Sequence, residues 1–469
     1  MLSDDVQFIK ASYFLALAGQ CEPVHRRQDV AAESCADQET MERWLAEIAA
    51  SIALRDEFGG KIAEFRLGMR FPPLVVISYA WLSAKHPDPD AAQLTHVLAP
   101  FIEWYMSERA RYISASAGDK AVGVRAVSQY EHLKVGARAR LAAPWSEEGV
   151  DFGIFLDYSS IWQKERNAAQ HDSFQRALGS MDLLYAHQET VVVRMTRQLV
   201  ADVTPYNERG WPFFETAASQ YIKPTFHCMD LGSKKAMDAL ETFEGVRKSP
   251  EELAAQGQYK IYDYPGKVLG ALKDRRLPPL VPAEFTTRAQ SKVLTNGKDK
   301  DVLIRLQEVV STCVLGNVAA MNFGNLSWGD PEMELLAKAL QMCHKLRSLD
   351  LSKNTHISEA GARLLAPFIS SSTSLETLSF LSVADLKDGG VNTICEAACV
   401  NKKSQLALLN FYNAGITFEG SGKMLAATLA GIPSLTRLNL AGFRNQLGEG
   451  GRAALSQIVK ERTGFTLEM

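Results

Sequence analysis

The pattern apolar-x-x-apolar-x-apolar starts at Val318, Leu346, Leu375, Leu406 and Leu435, so its copies lie 28, 29, 31 and 29 residues apart. A fixed period in this range marks a fold of stacked supersecondary units, none of which buries its apolar face alone. Within a copy, the alternation of Leu349 and Leu351 has period 2 and predicts a short strand with one face inward. A second apolar ladder follows at Ile357, Leu386, Ile416 and Leu447. Each of its rungs has glycine four residues on, at Gly361, Gly390, Gly420 and Gly451. Helical spacing of apolar residues then predicts closing helices over 362–370, 391–400, 423–430 and 452–459.

Upstream the pattern changes. Leu74 to Tyr79 is a continuous apolar run interrupted only by Ser78, as expected of a strand buried on both faces. Residues 90–110 place Leu94, Val97, Leu98, Phe101, Ile102 and Tyr105 on one helical face. Phe152 to Leu156 reads as a second strand, and Phe174, Leu178, Met181 and Tyr185 mark a second helix. Val191 to Val193 reads as a third strand, followed by a helix within 208–222 with Pro212 at its first position. Strands alternating with helices imply an α/β domain with a parallel sheet and helices on both faces.

Ligands of such sheets bind outside the carboxyl ends of the strands. That rule nominates Tyr79 and Trp81 after the first strand, Asp157, Ser159, Ser160 and Trp162 after the second, and Arg194 and Thr196 after the third. Gly-x-Gly-x-x-Gly and Walker-type phosphate loops are absent from the sequence, as are zinc spacings and a Gly-x-Ser-x-Gly nucleophile elbow. No metal is therefore expected, and no cofactor is certain.

Composition narrows the function classes. The chain has 469 residues, too many for one core. Its net charge of −3 gives no electrostatic case for nucleic acid. No run of apolar residues is long enough to insert in a membrane. Acid stands at the N-terminus where a signal peptide carries base, and the seven cysteines have no framework spacing. Reduced thiols and a cytoplasmic location are expected. Cys395 and Cys399, four apart on one repeat helix, read as core-facing small residues.

Residues 313–469 resemble the leucine-rich repeat, in its ribonuclease-inhibitor-like variety with a full helix per unit. The resemblance rests on five aligned units, such as Leu346-Arg-Ser-Leu349-Asp-Leu351 and Leu435-Thr-Arg-Leu438-Asn-Leu440. It implies a solenoid whose concave strands bind a protein partner through Arg347, Asp350, Glu376, Asn410, Arg437 and Asn439, with Ser348, Thr377, Ser379, Ala407 and Thr436 beside them. The plainer alternative leaves these as solvated strand positions. Asn354 stands where the family's buried asparagine ladder begins, and the equivalent positions are aligned as Val383, Ala414 and Phe443.

Residues 71–230 resemble a divergent Toll/interleukin-1-receptor (TIR) domain, a flavodoxin-like three-layer fold. The first strand Val75-Val76-Ile77-Ser78-Tyr79, the second strand Ile154-Phe155-Leu156-Asp157 ending in an acid, Val191-Val192-Val193 as the third, and the Trp-x-x-x-Glu spacing of Trp211 and Glu215 carry the likeness. Two features depart from the family. About 40 residues separate Tyr112 from Asp151, and 157–170 lacks the usual proline-glycine loop. In TIR domains that hydrolyse NAD, the glutamate of this motif is catalytic. The resemblance thus implies Glu215 as the catalytic residue, with Tyr79, Trp81, Asp157, Arg194 and Trp211 around the substrate. The plainer alternatives make Glu215 an acid in the first turn of a helix, Asp157 a turn cap and Trp211 a core anchor. Arg209 reads as an exposed loop arginine with a phosphate contact as its alternative.

The remaining segments are a helical N-terminal extension (1–70) and a mixed connector (231–312) holding Pro278-Pro279, Pro282 and the tyrosines 259, 262 and 264. The expected function is a cytoplasmic recognition or signalling protein whose repeats bind a protein partner while the TIR-like domain relays or assembles the signal. The alternative is an NAD hydrolase acting through Glu215 and regulated by the repeats. Oligomeric state is left open.

Overall fold

A computed structural model describes residues 5–57, 71–83, 85–116, 150–241, 264–294, 296–460 and 462–469. Most of the long segment between Tyr112 and Asp151, together with Tyr259 and Tyr262, lies outside the described residues. The chain forms two compact units, the first made of 1–219, 226–274 and 291–303, the second of 220–225, 275–290 and 304–469. Both are α/β.

The first unit is built on a five-stranded sheet in the order β1-β3-β2-β4-β5. Its strands are β1 (Ile9–Lys10), β2 (Leu74–Tyr79), β3 (Gly153–Phe155), β4 (Val191–Met195) and β5 (Cys228–Asp230). β2 pairs in parallel with β3 and β4, and β4 with β5, whereas β1 runs antiparallel to β3. The sheet expected to be parallel is therefore mixed. Its antiparallel edge comes from the N-terminal extension, whose two-residue strand is too short to leave a periodic signal. Ile9, Phe14, Leu17 and Val24 of that segment join the same core as β2 and β3, so it is an integral layer of the unit.

All six residues of β2 are buried, as its unbroken apolar run requires. The helices α1 (Ala11–Gln20), α2 (Gln38–Glu57) and α3 (Ala99–Ser116) precede β3. A π-helical turn, Leu94–Leu98, leads into α3. The second expected helix is two: α4 (Ala168–Leu178) and α5 (Met181–Ala186), divided at Gly179 and Ser180. The third is α6 (Gly210–Ser219). Pro212 stands third in it rather than first, which is tolerated because the first four N–H groups of a helix have no intrahelical acceptor. β5 leads into α7 (Lys234–Glu241), and α8 (Tyr264–Leu272) follows. Residues expected as connector therefore belong to the core, with Ala236, Met237, Leu240, Val268, Leu269 and Leu272 all buried in it.

The second unit carries α9 (Pro282–Ala289) and the greater part of α10 (Asp299–Asn317), then a six-stranded sheet in sequential order. Strands β6 (Ala320–Asn322), β7 (Ser348–Asp350), β8 (Thr377–Ser379), β9 (Leu408–Asn410), β10 (Arg437–Asn439) and β11 (Thr466–Glu468) pair in parallel throughout. Their central residues Met321, Leu349, Leu378, Leu409, Leu438 and Leu467 stand in register. Between strands run α11 (Asp330–Leu340), α12 (Glu359–Ser371), α13 (Lys387–Val400), α14 (Phe418–Gly431) and α15 (Gly448–Val459). The ladder of Ile357, Leu386, Ile416 and Leu447 is fully buried, as its recurrence predicts.

The asparagine ladder is corrected by the structure. Asn354 donates to the carbonyls of Phe323 and Leu351 at 2.8 and 2.9 Å, and its Oδ1 accepts from the amides of Leu326 and Trp328. In the last unit the same task falls to Asn445, not Phe443. Asn445 donates to the carbonyls of Phe411 and Leu440 at 2.9 and 2.8 Å and accepts from the amides of Gly415 and Ile416. The turn there is longer, with Gly442 at φ 109°, and it leaves Phe443 83% exposed. Val383 and Ala414 are buried without such a role. Two aspartates form a second cross-unit device. Asp330 at the start of α11 accepts from the Ser358 amide and hydroxyl, and Asp388 in α13 accepts from the Thr417 amide and hydroxyl and from Ser421. Each thus fixes the helix entry of the following unit.

Candidate functional site

The carboxyl end of β2 collects most of the polar chemistry of the first unit. Ser78 and Tyr79 are its last two residues and, as neighbours on a strand, leave on opposite faces of the sheet. Ser78 is fully buried and donates to the Glu215 carboxylate. Its oxygen lies 2.5 Å from the hydroxyl of Tyr206, which in turn lies 3.2 Å from the hydroxyl of Thr216. The Tyr185 hydroxyl of α5 donates to the Ile77 carbonyl at 3.4 Å beside them. On the other side, Tyr79 donates to Asp157 at 2.7 Å, and Trp81 packs edge-on against Tyr158.

Glu215 is 6% exposed. It occupies the second turn of α6, and that helix has no acid in its first turn, so the helix dipole does not account for it. Burial pushes its carboxyl up to about 8; the bond from Ser78 and the Tyr185 hydroxyl pull it down, and the nearby Asp157 charge pushes it further up. At neutral pH it is largely a neutral acid. Asp157 is also raised, again by burial, against the bonds it accepts from Tyr79 and the Tyr158 amide. Burial lifts the phenols of Tyr79, Tyr185 and Tyr206 as well, so all three stay protonated donors. Two carboxyl groups with displaced proton affinities, Glu215 of α6 bonded to the end of β2 and Asp157 just past the end of β3, make a functional-site candidate.

Of the residues nominated from sequence, the structure joins Tyr79 to Asp157 near Trp81 on one face of the sheet and places Glu215 with Ser78 on the other. The others go elsewhere. Arg194 is ion-paired with Asp274 and with Asp230 at 3.3 Å, and Thr196 donates to Asp230 at 2.6 Å, which ties the ends of β4 and β5. Trp211 donates its indole N–H to Asp299 at 3.1 Å and packs edge-on against Phe214. Ser159 donates to the His25 carbonyl, Ser160 accepts from the Leu156 amide, and the Arg27 guanidinium lies 4.4 Å over Trp162. Arg209 spends its Nε on the Thr204 carbonyl at 2.8 Å.

Ser78, Tyr185 and Tyr206 were not nominated. A lone serine in a buried apolar strand was the legible signal for Ser78, since such a hydroxyl needs a partner inside. Tyr185 had been absorbed into a helix face, and Tyr206 sits in a 3-10 turn, Tyr206–Glu208, that carries no pattern.

On the second unit, the expected partner-binding side chains are engaged with one another. Arg347 makes two 2.8 Å bonds to Glu376, and Arg437 pairs with Glu468. Asp350, Asn410 and Asn439 accept from backbone amides two residues on, closing the turn after each strand. Ser379 is buried against Ser352. Arg347 nonetheless has a side chain 64% exposed, so the ion-paired column still faces solvent.

Among the described residues no His, Cys, Asp and Glu cluster suits a metal, and no helix is long and apolar enough to cross a membrane. The seven cysteines are free thiols. No family model matches the chain, and no curated protein matches it.

Proposed function

We propose that the chain is a recognition protein: the second unit docks a protein partner and the first relays or answers the event. The observation that carries this is the second sheet, whose six parallel strands repeat in register and present polar side chains in columns, among them Arg347, Glu376 and Arg437. We take this unit to be a leucine-rich-repeat solenoid, a reading supported by one helix between each pair of strands and by the Asn354 and Asn445 turns. Its strand columns would form the docking face. The test is capture of cellular partners by the full chain and by a chain carrying Arg347→Glu and Arg437→Glu. The account expects the charge reversals to remove partners, and an unchanged partner set overturns it.

A second reading concerns what the first unit does, and the surroundings of Glu215 favour it. The order β3-β2-β4-β5 is the doubly wound order in which ligands bind at the strand ends beside the first strand, and it supports a TIR-like unit. In this reading the reaction is hydrolysis of NAD. The bond between nicotinamide and ribose breaks, its electron pair leaves with nicotinamide, and water adds to the ribose carbon. The transition state carries positive charge on the ribose, which an ionised Glu215 stabilises. The cationic nicotinamide ring would itself favour that ionised form. Release of nicotinamide by the purified full chain, lost in Glu215→Gln, is the test.

A further inference from the structure

A carboxyl group as buried as Glu215 needs a route for its proton. Glu215, Ser78 and Tyr206 are all buried, while Thr216 at the far end is partly exposed. We propose that Ser78, Tyr206 and Thr216 form a proton wire that connects Glu215 to solvent. This inference rests on the second reading above, in which Glu215 must become ionised to act.

Geometry supplies the argument. The four side chains make three consecutive hydrogen bonds: Glu215 to Ser78, Ser78 to Tyr206 at 2.5 Å and Tyr206 to Thr216 at 3.2 Å. Every intermediate member is a hydroxyl, which both donates and accepts, so the row runs in either direction. With Glu215 ionised, Thr216 donates to Tyr206, Tyr206 to Ser78 and Ser78 to the carboxylate. With Glu215 protonated, each bond reverses. Passage between the two states is balanced. The carboxyl hydrogen moves to Ser78 Oγ, that of Ser78 to Tyr206 Oη, that of Tyr206 to Thr216 Oγ1, and that of Thr216 to water. One proton leaves and each hydroxyl stays neutral.

The wire also has a source of bias. Asp157 and Tyr79, from the other face of the sheet, and Tyr185 of α5 act on Glu215 electrostatically. None of these is a cation. Arg194 of β4 places a positive charge near the row, acting on Tyr206. Tyr206 comes from the turn before α6 and Ser78 from the central strand, so the row bridges two separate elements. Ser78 reaches Glu215 directly while Tyr206 and Thr216 act through it, so all three are positioning residues.

The experiment uses the full chain and the near-isosteric variants Tyr206→Phe and Thr216→Val. Nicotinamide release from NAD is followed against pH in water and in deuterium oxide. Expected in Tyr206→Phe is a fall in kcat of about 100-fold with KM little changed, the size usual for general acid–base participation. Its pH profile should also shift toward higher pH. Thr216→Val should show a larger solvent isotope effect than wild type. Wild-type kcat, pH profile and isotope effect in both variants would overturn the wire. The carboxyl titration of Glu215, read by NMR on chain labelled at glutamate carboxyl carbon, separates the wire from the reaction. If the wild type releases no nicotinamide, the cleavage reading falls, and the titration then decides the wire. A rise of about one unit in Tyr206→Phe supports it; an unmoved titration overturns it.

Discussion

Ser78 donates its hydroxyl hydrogen to Glu215, joining the end of the central strand of the first sheet to the second turn of α6. The bond is buried, and it favours the charged form of the acid that burial disfavours. Removing it should therefore push Glu215 still higher. In Ser78→Ala the carboxyl titration of Glu215 should rise by about one unit, the worth of a hydrogen bond to a charged group. An unchanged titration would show that the bond does not hold the carboxylate.

Stability should depend on pH through the same group. Its value is about 8 in the fold against 4.5 for an ordinary glutamate, so between these the folded state holds a proton that the unfolded state has lost. Stability from this group is thus complete at acid pH and falls as pH rises from about 4.5 through about 8. The full loss is roughly 5 kcal/mol, at about 1.36 kcal/mol per unit. Glu215→Gln, which mimics the neutral acid, should lack this slope and exceed wild type in denaturant resistance at pH 9. Parallel stability curves for the two proteins between pH 5 and pH 9 would contradict the assignment.

The two turn asparagines predict a strong site and a weak one within a few residues. Asn445→Ala leaves the Leu440 carbonyl and the amides of Gly415 and Ile416 without the bonds Asn445 makes, and leaves the Phe411 carbonyl with the Ala414 amide. Orphaned buried groups cost about 1–3 kcal/mol each before relaxation, so a loss of roughly 3 kcal/mol is expected, and the same for Asn354→Ala. Phe443→Ala, at a position 83% exposed, should change stability by no more than about 0.5 kcal/mol. Denaturant unfolding of the three variants checks the order; equal effects would mean that the turn is not organised by Asn445.

Glycine in the repeat signals close packing rather than a helix boundary. Gly420 lies inside α14, and a methyl group there would strike the Asp388 side chain that fixes the entry of the same helix. Gly420→Ala should destabilise the second unit by roughly 1–3 kcal/mol, although alanine is the better helix former. A stabilised Gly420→Ala would remove Asp388 from its proposed task.

What the sequence showed depended on periodicity. Leu349, Leu378, Leu409 and Leu438 announced their strands because each is one tooth of a repeat, and all four stand in register. β2 was legible from Leu74 to Tyr79 because a strand covered on both faces is a single apolar run. β1, with two residues, and β5, with Cys228, Met229 and Asp230, are too short for any period. The split between α4 and α5 was hidden because Leu178 and Met181 keep helical spacing across it. At the site, Asp157 and Glu215 could be placed by the strand-end rule and by a motif. Arg194 could not, since nothing local says that Asp230 and Asp274 will claim it. Tyr185 and Tyr206 reach Glu215 through tertiary structure alone. Phe443 was aligned as a ladder position because a longer turn moved Asn445 out of step.

The central claim about the first unit is that the buried acid at the end of β2 is a working group. Its most direct test is nicotinamide release from NAD by the full chain, measured across pH 6 to 9 beside Glu215→Gln. The account predicts release that increases as Glu215 ionises toward about 8 and a loss of at least about 100-fold in the variant. Equal release by the two proteins, or none from the wild type at any pH in this range, would contradict it.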